Sequence, residues 1–415
     1  MMRLIFYRLK KQGLPMPPWD FVAGHLKVLP ALLKQLPTGS QQSDAFTILS
    51  RDFPKTTPAS TSTSGPFTMP LLVITSPDLA VQACQTYALP KPAILDAFVN
   101  PLAGGRTMFT QNGPEGKRSR DLFNNRFSTN VLFKLAPKIV KEAEVYVNIT
   151  CDYTMDMIGV LTLNARLQSR TKYNPLAAAM RSSIEWHCQD EEADPFKRRT
   201  MYRYIGVELD KRYEEWKHSA GDVEVASIMD LGVAQDMTNK DPASAAAASG
   251  SSSLDASFKT WATQHIGLFL FVGHDSTAST IIYALYLMSK HPSSLRLSPP
   301  ASGMREGHIT TTLTDRHGNS FPTAGVYIWI IHGAIHRNPD YWARPHEFLP
   351  ERWLVGPEHP LYPPRGGWRP LEHGLRDCMA QNLTLLDLKI TLALTVRMFD
   401  FQDFDGLPCV VSLRG

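Results

Sequence analysis

The stretch Arg369-Pro-Leu-Glu-His-Gly-Leu-Arg-Asp-Cys-Met-Ala380 places a glycine, an arginine and a cysteine at alternate positions, directly before an apolar helical pattern. Gly374 can take the positive φ that a short bulged turn needs, and Arg376 can direct its guanidinium fork at a carboxylate. We expect Cys378 to lie at the start of a helix that begins near Met379. Unpaired N–H groups and the positive end of the helix dipole would favour its thiolate. The pattern predicts a metal-binding thiolate, but taken alone it is equally compatible with a surface-loop cysteine.

Three further segments accompany this loop in a fixed order along the chain. Phe269-Leu-Phe-Val-Gly-His-Asp-Ser-Thr-Ala-Ser-Thr280 is an apolar helical stretch with an acid and an alcohol side by side in its middle. Ala334-Ile-His-Arg-Asn-Pro-Asp-Tyr-Trp342 and Phe348-Leu-Pro-Glu-Arg-Trp353 lie closer to the cysteine. Together these segments resemble the cytochrome P450 superfamily, the heme-thiolate monooxygenases. Their residues are most similar to those of fungal members. The resemblance extends, with gaps, from about Gly13 to the C-terminus.

The composition agrees with one large domain. The chain has 415 residues, of which 43% are hydrophobic, and it shows no internal repeat or clean linker. We therefore expect residues 19–415 to form a single heme-thiolate domain after a basic, proline-rich segment, residues 1–18. The apolar run Leu4–Tyr7 in that segment is far shorter than the roughly 20 residues that span a bilayer.

Charge and cysteine usage exclude several classes of protein. The formal net charge is only +4 and is dispersed, which argues against nucleic-acid binding. The five cysteines are odd in number and widely spaced, which argues against a disulfide framework and against a zinc site.

The expected fold class is α+β and mainly α, a P450-like fold with a long central helix and a small β-rich lobe. Apolar periodicity predicts the central helix from about Ser257 to Lys290 and further helices over residues 155–163 and 383–398. The run Leu71-Leu-Val-Ile-Thr75 predicts a strand of the small sheet. The Ala/Ser-rich tract over residues 242–257 predicts a flexible surface connection, with a substrate-access lid as the alternative.

The central helix carries candidate chemistry. The Ser276 hydroxyl is expected to bond back to the Val272 carbonyl and open a notch in the helix, and Gly273 would let a flat macrocycle approach. The resemblance implies that Asp275 and Ser276 are catalytic and relay protons to iron-bound oxygen. The family more often has threonine at the position of Ser276, so the relay geometry should be looser here. The alternative is that these hydroxyls only satisfy backbone carbonyls of a buried helix.

The resemblance also implies heme b as the cofactor, with Cys378 as the axial ligand of the iron. The residues implied to hold its propionates are Arg120, Arg305 and Arg376. The residues at substrate-pocket positions are Met108, Phe109 and Val272. For any one of these arginines a solvated surface charge is the alternative, and for the apolar residues it is ordinary core packing.

The chain departs from the family pattern at further places, and Leu371 occupies the position where the family usually has a phenylalanine beneath the thiolate. Gly116 stands where the family has a tryptophan that donates to a propionate. Between the central helix and the small sheet, a connecting region and most of one helix are missing, so we expect the fold to be incomplete there. Ser293 occupies the glutamate position of the E-x-x-R pair, and Arg296 and Arg352 thereby lose their shared carboxylate.

The implied reaction inserts one oxygen atom from O2 into a hydrophobic small molecule, with electrons from an NADPH-dependent reductase. The cations expected to face that reductase are Lys117, Arg118, Arg365 and Arg369. Two alternatives stay open: a heme-thiolate isomerase, dehydratase or peroxygenase, and a non-catalytic or heme-deficient remnant created by splicing or a faulty gene model.

The location that the resemblance implies is the cytosolic face of the endoplasmic reticulum. Without a transmembrane segment in this chain, a cytoplasmic location and peripheral membrane contact are also compatible. The similarity to fungal members favours a role in secondary metabolism.

Overall fold

The computed structural model describes residues 7–8, 10–11, 16–17, 28–36, 45–48, 59–62, 69–124, 127–144, 150–165, 167–169, 172–188, 195–218, 227–230, 254–290, 299, 301–347, 349–402 and 410–413. The chain divides into two compact units. The sheet unit comprises Met1–Pro92 and Tyr283–Cys378, and the helical unit comprises Ala93–Ile282 and Met379–Gly415. The single domain expected over residues 19–415 stays a prediction.

Strands define the sheet unit. They are β1 (Ala59–Ser62), β2 (Leu71–Ile74), β3 (Gly303–Glu306), β4 (Thr312–Thr314), β5 (Ser320–Pro322) and β6 (Tyr327–Ile330). Four of them form one sheet in the order β1-β2-β6-β3, and β4 pairs with β5 separately. β2 runs parallel to β6, with Leu72 opposite Ile328, while β1 and β3 are antiparallel to their neighbours. The strand predicted from the apolar run at Leu71 is therefore confirmed.

Short helices cover this sheet. Their bounds are Val28–Leu33, Pro77–Val81, His332–His336, the π-helical turn Gln82–Thr86 and the 3₁₀ turn Pro350–Trp353. The helix at Pro77 begins where it does because the Ser76 hydroxyl accepts a hydrogen bond from the Leu79 N–H at 3.4 Å and proline occupies the first helical position. Its buried Leu79 packs in one apolar cluster with residues of the central strands.

Helices make up most of the helical unit. Their bounds are Ile94–Ala103, Gly113–Asn124, Thr129–Glu144, Thr150–Leu163, Pro175–Cys188, Pro195–His218, Ala256–Lys290 and Gln381–Met398, and the strands β7 (Phe399–Gln402) and β8 (Val410–Leu413) pair with each other. The division between the units falls inside Ala256–Lys290, which we call the central helix. The helices predicted over residues 155–163 and 383–398 are confirmed, each with a few additional residues at its N-terminal end.

The central helix is close to its predicted bounds of Ser257 and Lys290. It starts at Ala256 because the Asp255 carboxylate accepts the otherwise unpaired N–H of Phe258 at 2.9 Å. Within the described part of the chain, the structure contains no helix of the length and apolarity that a membrane span requires.

A buried polar contact joins two helices of the helical unit. The Tyr153 hydroxyl donates a short hydrogen bond to Asp387, and the Thr391 hydroxyl donates to the Tyr153 oxygen at 3.2 Å. All three side chains are fully buried. The contact ties Thr150–Leu163 to Gln381–Met398.

Two predicted features fall on residues outside the described set. These are most of the surface connection predicted over residues 242–257, and the deletion site with Ser293 and Arg296.

Candidate functional site

The cysteine loop of the sheet unit has the backbone that its sequence predicts. Gly374 has φ +87°, and a Cβ built on it would lie 2.5 Å from the Cys84 carbonyl oxygen, so only glycine fits there. The Cys378 N–H donates to the Leu371 carbonyl at 2.8 Å and the Asp377 N–H donates to the Gly374 carbonyl at 3.1 Å. These bonds close the loop on itself and leave Cys378 half-buried.

The prediction that Cys378 lies at the first turn of a helix is wrong. The following helix begins at Gln381, and its first bond runs from the Thr384 N–H to the Ala380 carbonyl at 2.8 Å. The Cys378 N–H is already used inside the loop. The loop backbone, rather than an unpaired helix terminus, therefore sets the position of this thiol.

Glu372 lies in the middle of the loop and is buried. Its Oε1 accepts hydrogen bonds from Arg369 Nε at 3.1 Å and Nη2 at 2.5 Å, and its Oε2 accepts from Arg305 Nη2 at 3.2 Å. Burial by itself would raise the pKa of this carboxyl, but His332, Arg369 and Arg305 hold the pKa well below its usual range. The Nε2 of His332 is 3.5 Å from Oε1, but burial lowers the pKa of His332 and so favours its neutral form. The charges that stabilise the Glu372 carboxylate are therefore chiefly the two guanidiniums.

These contacts change what is expected of two arginines. Arg305, a predicted propionate ligand, is 0% exposed, and its Nη1 also donates to the Met304 carbonyl at 2.8 Å. Arg369 was expected to face a reductase, but it is 0% exposed and bound to Glu372, so that expectation is wrong. The other three predicted docking residues, Lys117, Arg118 and Arg365, are exposed.

Lys91 is a buried amine of the sheet unit, and no motif in the sequence points to it. Burial, followed by repulsion from Arg305 and then from Arg376, lowers its pKa to about 7. Nearby Cys84 is buried, and burial raises the pKa of its thiol to about 11, so it stays protonated. Arg305, Arg369 and Arg376 outnumber the carboxylate of Glu372 even when Lys91 is neutral, and this surplus of positive charge suits a ligand that carries carboxylates.

A heme fits this set of residues. Cys378 offers the thiol that iron would take, in a closed loop, and the cationic surplus suits propionates. Among the described residues, no group of three or more His, Cys, Asp or Glu side chains is placed to hold a metal ion. The role of Cys378 as the iron ligand stays a prediction.

Arg352 is the described member of the E-x-x-R network that was predicted to lose its carboxylate. It is buried, and its Nη2 donates to the carbonyls of Ala343 at 2.5 Å and Arg344 at 2.6 Å. Its Nε and Nη1 find no hydrogen-bond partner in the described part of the chain. Burial and the neighbouring Arg344 lower its pKa. A buried guanidinium with two unsatisfied nitrogens agrees with the expected loss of a carboxylate.

In the helical unit, Val272, Asp275 and Ser276 lie on one accessible strip of the central helix. Val272 is 37% exposed, Asp275 is exposed and Ser276 is half-buried. The Ser276 hydroxyl donates to the Val272 carbonyl at 2.6 Å, as predicted. The central helix is continuous through this point, and the expected notch stays a prediction. Protein surrounds part of the Asp275 carboxyl, and this partial burial raises its pKa.

Gly273 has a different neighbour from the one expected. A Cβ built on Gly273 would lie 2.5 Å from Ile158 Cδ1, so the glycine lets the helix Thr150–Leu163 pack closely against the central helix. One turn earlier on that helix, the Thr154 hydroxyl is 2.9 Å from His274 Nδ1. The two contacts fix the rotation of the central helix, and the macrocycle contact expected at Gly273 stays a prediction that these neighbours do not support.

The remaining predicted residues of this unit fall into two settings. Met108 is buried in the main apolar cluster, and Phe109 packs against it. Arg120 is half-buried on the helix Gly113–Asn124, where Gly116 is also buried. Gly116 therefore occupies the tryptophan position without a side chain that could donate a hydrogen bond to a propionate.

Comparison with known proteins agrees with the sequence and the geometry. A cytochrome P450 family model matches residues 294–408. The cytochrome P450 monooxygenase polC of Polytolypa hystricis is 29% identical over 474 aligned positions, which cover 97% of this chain and 84% of that protein. The cytochrome P450 monooxygenase acrF of Aspergillus aculeatus is 23% identical, over 80% of this chain and 82% of that protein. Because 474 positions exceed the 415 residues of this chain, the polC protein carries residues that this chain lacks.

The fold has a solved counterpart. The structure is similar to the crystal structure of the cytochrome P450DA heme domain, with a TM-score of 0.75 and 16% identity over 97% of each chain. The expected fold class, mainly helical with a small β-rich part, is confirmed.

Proposed function

We propose that this chain, which belongs to the cytochrome P450 superfamily, is a heme-thiolate monooxygenase that inserts one oxygen atom from O2 into a hydrophobic small molecule. The observation that carries the proposal is the loop ending at Cys378. The hydrogen bond from the Cys378 N–H to the Leu371 carbonyl closes the loop backbone, and the turn requires a glycine at Gly374. The relatives polC and acrF are named monooxygenases, which supports the same reaction class.

Heme b, when bound, would supply the chemistry of oxygen activation. Cys378 would hold its iron through Sγ. Arg376 and Arg120 remain the propionate candidates, and Lys91 joins them because it is close enough to Arg376 for the two charges to repel. Arg305 contributes positive charge, although part of its guanidinium is already bound to Glu372.

Asp275 and Ser276 are proposed to move protons along the central helix. The Ser276 O–H points at the Val272 carbonyl, so its oxygen lone pairs stay available to accept a proton donor. Asp275 has an exposed surface through which it can exchange protons with water. Its raised pKa keeps the carboxyl closer to neutrality than a free aspartate, which suits a proton carrier.

The proposed partners follow from the family. An NADPH-dependent reductase would supply electrons, with Lys117, Arg118 and Arg365 as exposed cations that can attract an acidic surface. Met108, Phe109 and Val272 are proposed to contact the substrate, and Val272 is supported by the accessibility of its apolar side chain. The cytosolic face of the endoplasmic reticulum is the proposed location, and fungal secondary metabolism is the proposed context.

A second candidate function is a heme-deficient remnant of such an enzyme. The observation in its favour is Arg352, a buried guanidinium whose Nε and Nη1 lack partners among the described residues. A heme-thiolate isomerase or peroxygenase would retain Cys378 without needing a reductase. NADPH-driven oxygen uptake with a reductase separates the monooxygenase from both alternatives.

The decisive experiment replaces the proposed iron ligand. Cys378→Ser should abolish the thiolate-type Soret shift of the reduced carbon monoxide complex, because a serine oxygen replaces the sulfur. Cys84→Ser is the matched control: this cysteine is buried in the same unit and should leave the shift unchanged. A shift that survives in Cys378→Ser would show that another group binds the iron.

A further inference from the structure

Glu372 has a backbone conformation that its residue type disfavours. Its φ is +61°, in the left-handed region where a glutamate is strained, by roughly 1–3 kcal/mol for a residue of this kind. Such strain persists only where surrounding contacts over-determine the conformation. At Glu372 those contacts are the two guanidiniums of Arg369 and Arg305.

The conformation of Glu372 bears directly on Cys378. Rotation about the N–Cα bond of Glu372 orients the peptide plane that it shares with Leu371. The carbonyl of that plane accepts the Cys378 N–H at 2.8 Å. The φ of Glu372 therefore sets the direction of the hydrogen bond that holds the cysteine backbone.

The surroundings are shaped for the Glu372 carboxylate. A Cβ built on Gly303 of β3 would lie 2.1 Å from Glu372 Oε2, so a larger residue at that position would displace the carboxylate. Arg369 is fixed at two points, because its backbone N–H donates to His336 Nε2 at 3.0 Å while its guanidinium binds Glu372. The carboxylate thus joins the loop to β3 through Arg305.

We propose that Glu372 is a positioning residue for Cys378. It binds Arg305 and Arg369 at once, holds the Leu371–Glu372 peptide in its strained orientation, and thereby fixes the cysteine backbone before any cofactor is present. The proposal rests on the proposed function only in naming Cys378 as the iron ligand. Its structural part concerns the loop itself and is testable without heme.

The first test replaces the carboxylate. In the heme-free full chain, Glu372→Gln should raise the hydrogen-exchange rate of the Cys378 amide by at least about tenfold, because two buried guanidiniums lose their anion and release the loop. In the heme-loaded chain the same substitution should weaken heme affinity by about 10–100-fold and reduce the thiolate-type Soret shift. Glu347→Gln, which breaks the exposed pair with Arg344 in the same unit, is the matched control and should change neither readout.

The second test keeps every charge of the cluster and changes only the space beside the Glu372 carboxylate. Gly303→Ala should displace the carboxylate and reproduce the faster exchange of the Cys378 amide. Gly356→Ala is its control, since a Cβ there meets nothing within 4 Å. Wild-type exchange at Cys378 in folded Gly303→Ala would overturn the proposal.

A third variant separates the carboxylate from the backbone. Glu372→Gly relieves the strain at φ +61°, so a loop that needed only this backbone angle would keep its protection. We expect protection to be lost, and retained protection would refute the role of the carboxylate. If the wild-type chain takes up no heme, the proposed function fails, while these exchange measurements still decide the role of Glu372.

Discussion

Asp387 should make the stability of the helical unit depend on pH in an unusual direction. Its Oδ1 accepts the Tyr153 hydroxyl, but its Oδ2 has no hydrogen-bond partner among the described residues. Burial raises the pKa of this carboxyl from 3.8 to about 6, although hydrogen bonds from Tyr153 and Thr391 oppose the rise. The buried charge is thus only partly compensated.

Proton linkage gives the size and the sign of the effect of Asp387 on folding stability. Between pH 3.8 and about 6 the folded chain binds more protons at Asp387 than the unfolded chain does, so folding stability falls as the pH rises through this window. A shift of about two pKa units corresponds to a loss of about 3 kcal/mol, which is complete above about pH 6. Asp387→Asn retains an oxygen for Tyr153 and cannot ionise, so it should remove this component.

Urea unfolding over a pH series from about 4 to 8, followed by circular dichroism, measures the effect. The relevant quantity is the difference in pH dependence between the wild type and Asp387→Asn, because the new amide adds a constant offset. Infrared spectra should also show a protonated carboxyl band that disappears with the substitution. The control is Asp315→Asn: hydrogen bonds from Asn319 and His317 lower the Asp315 pKa despite partial burial, so it should remove a component of opposite sign. Parallel pH profiles for Asp387→Asn and the wild type would refute the reasoning.

Three further outcomes are expected. Gly273→Ala should destabilise the chain by about 1–3 kcal/mol in thermal unfolding, through overlap with Ile158, and Ile158→Ala should recover part of the loss in the double variant; additive losses would contradict the contact. Ser276→Ala in heme-loaded protein should divert electrons from product to peroxide, and an unchanged balance would exclude the hydroxyl as a relay. Inserting a family-like segment after Pro292 should raise heme content and melting temperature, since a broken buried pair costs about 3–5 kcal/mol; equal values would show that the segment is dispensable.

The cysteine loop shows how far local sequence reaches. Gly374, Cys378 and their spacing predicted a tight turn with positive φ, and the structure has it. This worked because a turn depends on residues that are neighbours in the chain. The helix start near Met379 was misplaced because the competing acceptor for the Cys378 N–H, the Leu371 carbonyl, could not be read from helix patterns.

The arginines show the opposite case. A guanidinium group can bind any carboxylate within reach. The sequence around Arg305 or Arg369 does not identify which carboxylate lies near it in the folded chain. β3 pairs with β6 and brings Arg305 to Glu372, although the two residues are far apart in the chain. The motif spacing assigns no role to Glu372, whose partners Arg305 and Arg369 appear only in the folded chain.

The sequence by itself predicted the resemblance to the family, the mainly helical fold class, the extent of the central helix and the identity of the thiolate candidate, because these depend on periodicity and on motifs whose residues are close in the chain. Only the tertiary structure decided which carboxylate Arg369 binds, that Lys91 is buried among cations, that Gly273 is packed by Ile158 and that Asp387 is a poorly compensated buried acid. Burial and charge pairing are set by neighbours from distant segments, and their energies depend on the distances that folding creates.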